Sequence, residues 1–182
     1  LVRSRGLGDV YKRQAEGVPV SAAGNKEEAE YMLVCAEYEL RNPNSIELLR
    51  EYLDAYPDTP HANRICALIA SAYFFEGKYD DALAMFNSSR LDLLSNEERD
   101  DMTYRLATCY LKTGNVKEAA IWFETLRSTG SRYTADCTYY LAYIRYSQQR
   151  YDDALSGFLS LQDNAKYEAL VPYYIAEIYL IK

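Results

Sequence analysis

The chain has 182 residues and is acidic, with 27 Asp and Glu residues against 20 Lys and Arg residues and a formal net charge of −7. Because an acidic protein repels the phosphate backbone, a nucleic acid partner is not expected. No run of 18 apolar residues occurs, so no membrane span is visible in the sequence.

The first residues look foreign to the rest of the chain. Ser4–Gln14 resembles the translation of a transposase sequencing adaptor, in which GAT GTG TAT AAG AGA CAG encodes Asp9–Gln14. We therefore interpret residues 1–14 as a disordered adaptor artefact and exclude them from the fold. The alternative is a natural basic N-terminus that is disordered. Without their net charge of +3, the remainder carries −10. Residues 15–24 are small and aperiodic, and we interpret them as a linker.

Helical patterns begin at residue 25. Asn25 lies three residues before Glu28, which is the spacing of a capping box, and apolar residues then recur at helical intervals. Start signals of the same kind lie at Asn44, Ser95 and Asn115, and Thr59-Pro60 is a further start. Glycines that suit the left-handed end of a helix are Gly77, Gly114 and Gly130. No alternating strand pattern appears, so the chain is predicted to be all-α.

The sequence repeats at intervals of 34 to 37 residues. The first helix of each copy carries a small residue: Ala36, Ala70, Ala107, Ala142 and Ala176. The matching residues of the second helix are Leu48 in the earliest copy and then Ala82, Ala119 and Ala154, and four residues after each lie Tyr52, Phe86, Phe123 and Phe158. A small residue lets two helices approach closely, and the ring one turn later fills the space beside the contact. The pattern therefore predicts stacked antiparallel helix hairpins.

The copy that starts at Asn63 resembles the tetratricopeptide repeat family. The resemblance rests on the period and on the motif residues Tyr73, Gly77, Tyr79, Ala82 and Phe86. Other copies depart from the motif, with Arg145 and Gln149 in a later copy and Pro43 in the earliest. The resemblance covers residues 25–182 as about 4.5 repeats and implies a right-handed α-solenoid.

The chain stops after the first helix of its last copy, within Ala169–Lys182. We therefore expect the repeat array to be truncated at its C-terminus. The apolar face of that helix would lack its neighbour, so self-association through this end is expected.

No arrangement of residues points to catalysis, a cofactor or a metal. The single histidine, His61, lies at a helix start, and the paired carboxylates at Asp80-Asp81 and Asp152-Asp153 favour helix dipoles. The four cysteines are too far apart for a metal knuckle or a redox pair, and Cys35 and Cys66 are expected at core-facing positions. The chain is therefore predicted not to be an enzyme and to need no cofactor.

The remaining function classes both concern protein interactions. The first is a non-catalytic scaffold that binds a peptide or a helix of a partner protein in a concave groove. The alternative is a docking segment of a larger enzyme or regulatory protein whose active domain lies outside this fragment. The full-length gene would distinguish the two classes.

The resemblance also implies which residues line such a groove. At the family's groove positions, the residues are Phe74, Tyr104, Thr108, Leu111, Tyr139, Tyr143, Tyr146, Tyr173 and Glu177. The family's clamp for carboxylate termini is absent, since Asp101 and Asp136 occupy positions where that clamp needs Lys or Asn. The tyrosines instead predict an aromatic groove for an extended or helical apolar segment. The alternative is that these rings only pack between helices.

Two observations bear on localisation and disagree. The linker Tyr56–Pro60 is similar to linkers in tetratricopeptide proteins of the Gram-negative envelope, which favours the periplasm or the outer membrane. Four cysteines without an evident pairing favour a reducing compartment such as the cytoplasm. Localisation therefore stays open.

Overall fold

The computed structural model describes residues 23–181, which form nine α-helices, one short 3₁₀ helix at Leu91–Leu93 and no strand. The α-helices are α1 (Ala23–Glu39), α2 (Ser45–Ala55), α3 (Ala62–Phe75), α4 (Tyr79–Asn87), α5 (Asn96–Lys112), α6 (Val116–Ser128), α7 (Thr134–Ser147), α8 (Tyr151–Leu159) and α9 (Val171–Ile181). The prediction of an all-α chain is confirmed. The adaptor-like residues 1–14 and most of the predicted linker lie outside the described residues.

The helices form two compact units that meet in sequence between Arg90 and Leu91. The first unit contains α1–α4, and each of these helices packs on the next. The second unit contains the 3₁₀ helix and α5–α9, and here too each α-helix packs on the next. Along residues 23–181, no helix is both long enough and apolar enough to cross a bilayer.

The repeated small and aromatic residues form the contacts inside the hairpins, as predicted. The small residues Ala70, Ala82, Ala107, Ala119, Ala142 and Ala154 and the rings Phe86, Phe123 and Phe158 are all buried. The outer members of the ladder, Ala36 and Ala176, are exposed instead. In the earliest copy the fully buried residue of α2 is Leu49 and not Leu48, because Ser45, Leu49 and Tyr52 share one face.

Helices α7 and α8 approach each other closely at one point. Gly157 of α8 faces Ala142 of α7, and a Cβ added to Gly157 would lie 2.8 Å from the Ala142 Cβ. The sequence repeat identifies Ala142 as the small residue on one side of this contact. On the other side of the contact, Gly157 has no side chain and so leaves room for Ala142. Glycine at this position is specific to this hairpin.

The turns between helices use left-handed backbone geometry. Gly77, Gly114 and Gly130 have φ values of 74°, 84° and 68°, as predicted. In the copy that lacks the turn glycine, Gln149 adopts the same geometry with φ 60°. A side chain in this conformation is strained, because its Cβ lies close to the following carbonyl oxygen.

The predicted helix starts are confirmed in part. Ser95 and Asn115 accept hydrogen bonds from the backbone N–H of Glu98 and Glu118, each at 3.4 Å. Asn44 makes no such bond from its side chain, and α1 begins two residues before the start predicted at Asn25. Thr59 accepts a hydrogen bond from the N–H of His61, and α3 begins only at Ala62.

Candidate functional site

The predicted groove residues fall in both units. Phe74 lies on α3 of the first unit, where its half-buried ring contacts Phe75 and Tyr79 edge-on at 5.5 and 6.0 Å. The other eight residues lie in the second unit, on the first helices of its hairpins, α5, α7 and α9. The structure therefore gathers the tyrosines of the prediction in one unit.

On α5 the predicted groove residues pack into the core of the second unit. The Tyr104 ring stacks on Tyr133 with centroids 4.4 Å apart, and burial raises the pKa of Tyr104 well above its usual range. Thr108 is buried and donates a hydrogen bond to the Tyr104 carbonyl at 2.8 Å. Leu111 packs against the same core. These three side chains support the fold of the second unit.

Tyr139 on α7 has an equivalent environment. Its ring stacks on Tyr167 with centroids 4.7 Å apart and contacts Phe158 edge-on at 6.1 Å. Burial raises the pKa of Tyr139 to about 12. For Tyr104 and Tyr139 the structure thus supports the packing alternative.

Tyr133 and Tyr167, the rings that stack on Tyr104 and Tyr139, belong to a contact that repeats along the unit and that the sequence pattern did not reveal. Tyr133 donates a hydrogen bond to Asp101 of the preceding first helix at 3.0 Å, and Arg132 pairs with the same carboxylate. One repeat later, Tyr167 and Lys166 bind Asp136 in the same way.

In the first unit, His61 takes the place of the tyrosine. It stacks on Tyr31 at 3.7 Å and lies 3.0 Å from a Glu28 carboxylate oxygen. The sequence repeat could have predicted these contacts, because His61, Tyr133 and Tyr167 each lie nine residues before the repeated alanine of the first helix of their copy. The lone histidine is therefore a structural residue of the contact between repeats.

Side chains near the C-terminal end of the second unit remain accessible. We call the group Tyr143, Tyr146, Tyr173, Glu177 and Leu180 the tyrosine surface. Tyr143 is 39%, Tyr173 65% and Leu180 88% exposed. Tyr173, Glu177 and Leu180 follow one another at helical spacing on α9, so they share one face of that helix.

A half-buried ring, Tyr174, contacts the three tyrosines of the tyrosine surface. Tyr174 stacks on Phe158 of α8 with centroids 4.9 Å apart and an angle of 4° between the planes. Tyr143, Tyr146 and Tyr173 contact the Tyr174 ring edge-on, with centroid distances of 6.2, 5.3 and 5.7 Å. The accessible rings are thereby positioned by a side chain that packs against the core.

The tyrosine surface carries one carboxylate. Hydrogen bonding between the Glu177 carboxylate and the Tyr146 hydroxyl, helped by desolvation, raises the pKa of Tyr146 to about 12. Within residues 26–181, Glu177 forms no ion pair with a Lys, Arg or His side chain. A negative charge thus lies beside accessible aromatic rings.

The first unit contains a cleft of about 500 Å³ between α2 and the end of α3. Both basic side chains that line the cleft, Arg50 and Lys78, have partners within the chain. Lys78 pairs with Glu76 at 2.8 Å, and Arg50 donates to the Tyr73 hydroxyl at 3.1 Å. The cleft therefore presents no basic side chain that lacks a partner among the described residues.

The cysteines differ from the prediction in their burial. Cys109 and Cys137 are the fully buried pair, and burial raises the pKa of each thiol to about 12. Cys35 and Cys66, which were expected to face the core, are only half-buried. Among the described residues, no group of three or more His, Cys, Asp or Glu side chains could hold a metal ion.

The repeat is similar to one found in known proteins. The tetratricopeptide repeat model matches residues 67–134. The fold is similar to the crystal structure of YrrB, described as "a TPR protein with an unusual peptide-binding site", with a TM-score of 0.70 and 16% identity over 88% of this chain and 81% of that one.

A second similar structure contains nearly identical TPR-like repeats of a putative kinesin light chain from Podosopora anserina. It has a TM-score of 0.57 and 15% identity over 84% of each chain. No curated protein sequence matches this chain. These findings confirm the helical-repeat solenoid class.

Proposed function

We propose that the chain binds a peptide or a helix of a partner protein without catalysis. The proposal is supported by its likeness to tetratricopeptide repeat proteins, whose fold serves as a scaffold for protein interactions. The proposed site is the tyrosine surface of the second unit. The observation that carries the proposal is the exposure of Tyr143, Tyr173 and Leu180 around a fixed aromatic core.

The chemistry of these side chains suits a protein partner. A tyrosine offers a large apolar ring with few rotatable bonds, so little conformational entropy is lost on binding, and its hydroxyl can still form a hydrogen bond. The rings of Tyr143 and Tyr173 are already oriented by contact with Tyr174. Preorganisation of this kind lowers the entropic cost of binding.

The proposed site is narrower than the groove predicted from sequence. Tyr104, Thr108, Leu111 and Tyr139 are assigned a supporting role, because their contacts lie within the core. The printed description of YrrB attributes a peptide-binding site to that protein, and peptide binding is extended here to this chain as part of the proposal.

A docking segment within a larger enzyme or regulatory protein would use the same surface. The partner would then be brought to a separate active domain. Sedimentation of the purified protein at several concentrations tests for a second copy of this chain on the same surface, which would appear as an increase in mass with concentration.

A selection of random peptides displayed on phage tests the proposal. The full chain is immobilised, and retained peptides are compared between the natural protein and the Tyr143→Ala/Tyr173→Ala double variant. Removal of two contact rings should lower peptide affinity about tenfold or more, as is typical of truncated aromatic contacts.

Tyr179→Ala is the matched control, because Tyr179 is an exposed tyrosine of α9 outside the tyrosine surface. It should retain the same peptides as the natural protein. Equal peptide affinity of the double variant, with an unchanged circular dichroism spectrum, would refute the proposed site.

A further inference from the structure

We propose that the tyrosine surface selects a cationic side chain, arginine or lysine, from the bound peptide. This inference rests on the proposed function and adds the chemical class of the group that is recognised. It follows from the rings, from the carboxylate beside them and from two similar arrangements elsewhere in the same unit.

The rings provide the first element of a cation site. Tyr143, Tyr146 and Tyr173 stand nearly perpendicular to Tyr174, at angles of 74°, 68° and 77° between the planes. A perpendicular contact uses at most one face of each of these rings, so each ring keeps at least one face that Tyr174 does not cover. The face of an aromatic ring carries the negative part of its quadrupole and attracts a cation within about 6 Å.

Glu177 provides the second element. Its contact with the Tyr146 hydroxyl uses only part of the acceptor capacity of a carboxylate, which has about four lone-pair sites and can accept both N–H groups of a guanidinium. The net charge of −7 also favours a basic partner over an acidic one.

The second unit already binds cations with this combination of groups. Arg132 pairs with Asp101 and lies over the Tyr133 ring, with its guanidinium carbon 5.1 Å from the centroid. Lys166 pairs with Asp136 and lies over the Tyr167 ring at 5.7 Å. In each case a carboxylate and a tyrosine ring together hold one cation.

The tyrosine surface presents the same two groups to the solvent. Asp101 and Asp136 have their cations supplied from within the chain, whereas the described residues supply none to Glu177. A peptide that places arginine or lysine here would complete the arrangement. Its neighbouring apolar residues would then contact Leu180 and Tyr173.

The test uses the peptides retained by the full chain in the phage selection. We expect arginine or lysine to be enriched at one position of these peptides. A synthetic peptide of the most enriched sequence is then titrated by calorimetry against the natural protein and against Glu177→Gln. Loss of an exposed ion pair should weaken binding by up to about fivefold.

The effect of Glu177→Gln should shrink as salt is added, because exposed charges are screened. Glu168→Gln is the matched control: it makes the same change in net charge at an exposed residue before α9 and should leave the affinity unchanged. Tyr143→Ala should weaken the same peptide about twofold to fivefold through loss of a cation–π contact.

The outcomes separate the two proposals. Peptides that are retained through Tyr143 and Tyr173 but show no basic residue, or that bind Glu177→Gln and the natural protein equally, overturn the cation site and leave the proposed function standing. If no peptide is retained at all, both proposals are overturned.

Discussion

Replacing Gly157 with alanine tests the close packing of α7 and α8. On helix propensity alone, the change should stabilise α8 by up to about 1 kcal/mol. The structure predicts the opposite sign, because the new Cβ would lie 2.8 Å from the Ala142 Cβ. Both atoms are fixed to helix backbones, so neither can rotate away. Overpacking of this kind costs about 1–3 kcal/mol, and a net loss of about 1–2 kcal/mol is expected.

Urea unfolding followed by circular dichroism measures the effect. Ser156→Ala is the matched control, since it adds alanine at the neighbouring exposed residue and should change the free energy of unfolding by no more than about 0.5 kcal/mol. Ala142→Gly should rescue the packing of Gly157→Ala, so the double variant should be more stable than the sum of the single effects by about 0.5–3 kcal/mol. A Gly157→Ala protein that is as stable as Ser156→Ala would refute the close approach of these helices.

Three further predictions concern the turns, the small-residue ladder and the tyrosines. Gln149→Gly should raise the free energy of unfolding by about 1 kcal/mol, because glycine adopts the left-handed backbone conformation without strain. Gln148→Gly, at a residue with φ −87°, should lower it. Equal effects of the two variants in urea unfolding would contradict this prediction. Ala107→Leu should lower the free energy of unfolding by about 1–3 kcal/mol, because the larger side chain overpacks the contact between two helices. Ala36→Leu, at the exposed end of the ladder, should change it by about 0.5 kcal/mol or less. Equal melting temperatures of the two variants would show that the register is wrong. Burial raises the pKa of Tyr139 to about 12, so its contribution to stability is complete below the unfolded pKa of about 10 and is lost as the pH rises towards 12. Tyr139→Phe should therefore reduce the loss of stability that urea unfolding measures at alkaline pH. An unchanged pH dependence would argue against burial of this hydroxyl.

The hairpins could be predicted because their contacts are encoded locally. A small residue and a ring four positions later lie on one face of a helix whatever the surroundings, and Ala119 and Phe123 are buried accordingly. The pattern does not define the register of the earliest copy. In the earliest copy, Leu48 and Leu49 are adjacent and equally apolar, and only the packing of α2 distinguishes them.

The exposure of the predicted groove residues could be inferred only in part, because helical spacing does not reveal which residues cover a face. Tyr104, Tyr139, Tyr143 and Tyr173 all lie on first helices at groove positions. Tyr104 and Tyr139 are covered by rings that precede the following first helix, and no periodic pattern within one helix could show this. Tyr143 and Tyr173 lack such a cover among the described residues and remain exposed.

Site-specific photo-crosslinking tests most directly whether partners bind at the tyrosine surface. A photoreactive benzoylphenylalanine replaces Tyr173 in one protein and Ile121, which is exposed on the second helix α6, in another. Each is irradiated with a peptide from the phage selection, and the crosslinked site is read by mass spectrometry. The account predicts crosslinking from position 173 and little from position 121. Crosslinking mainly from position 121 would contradict it.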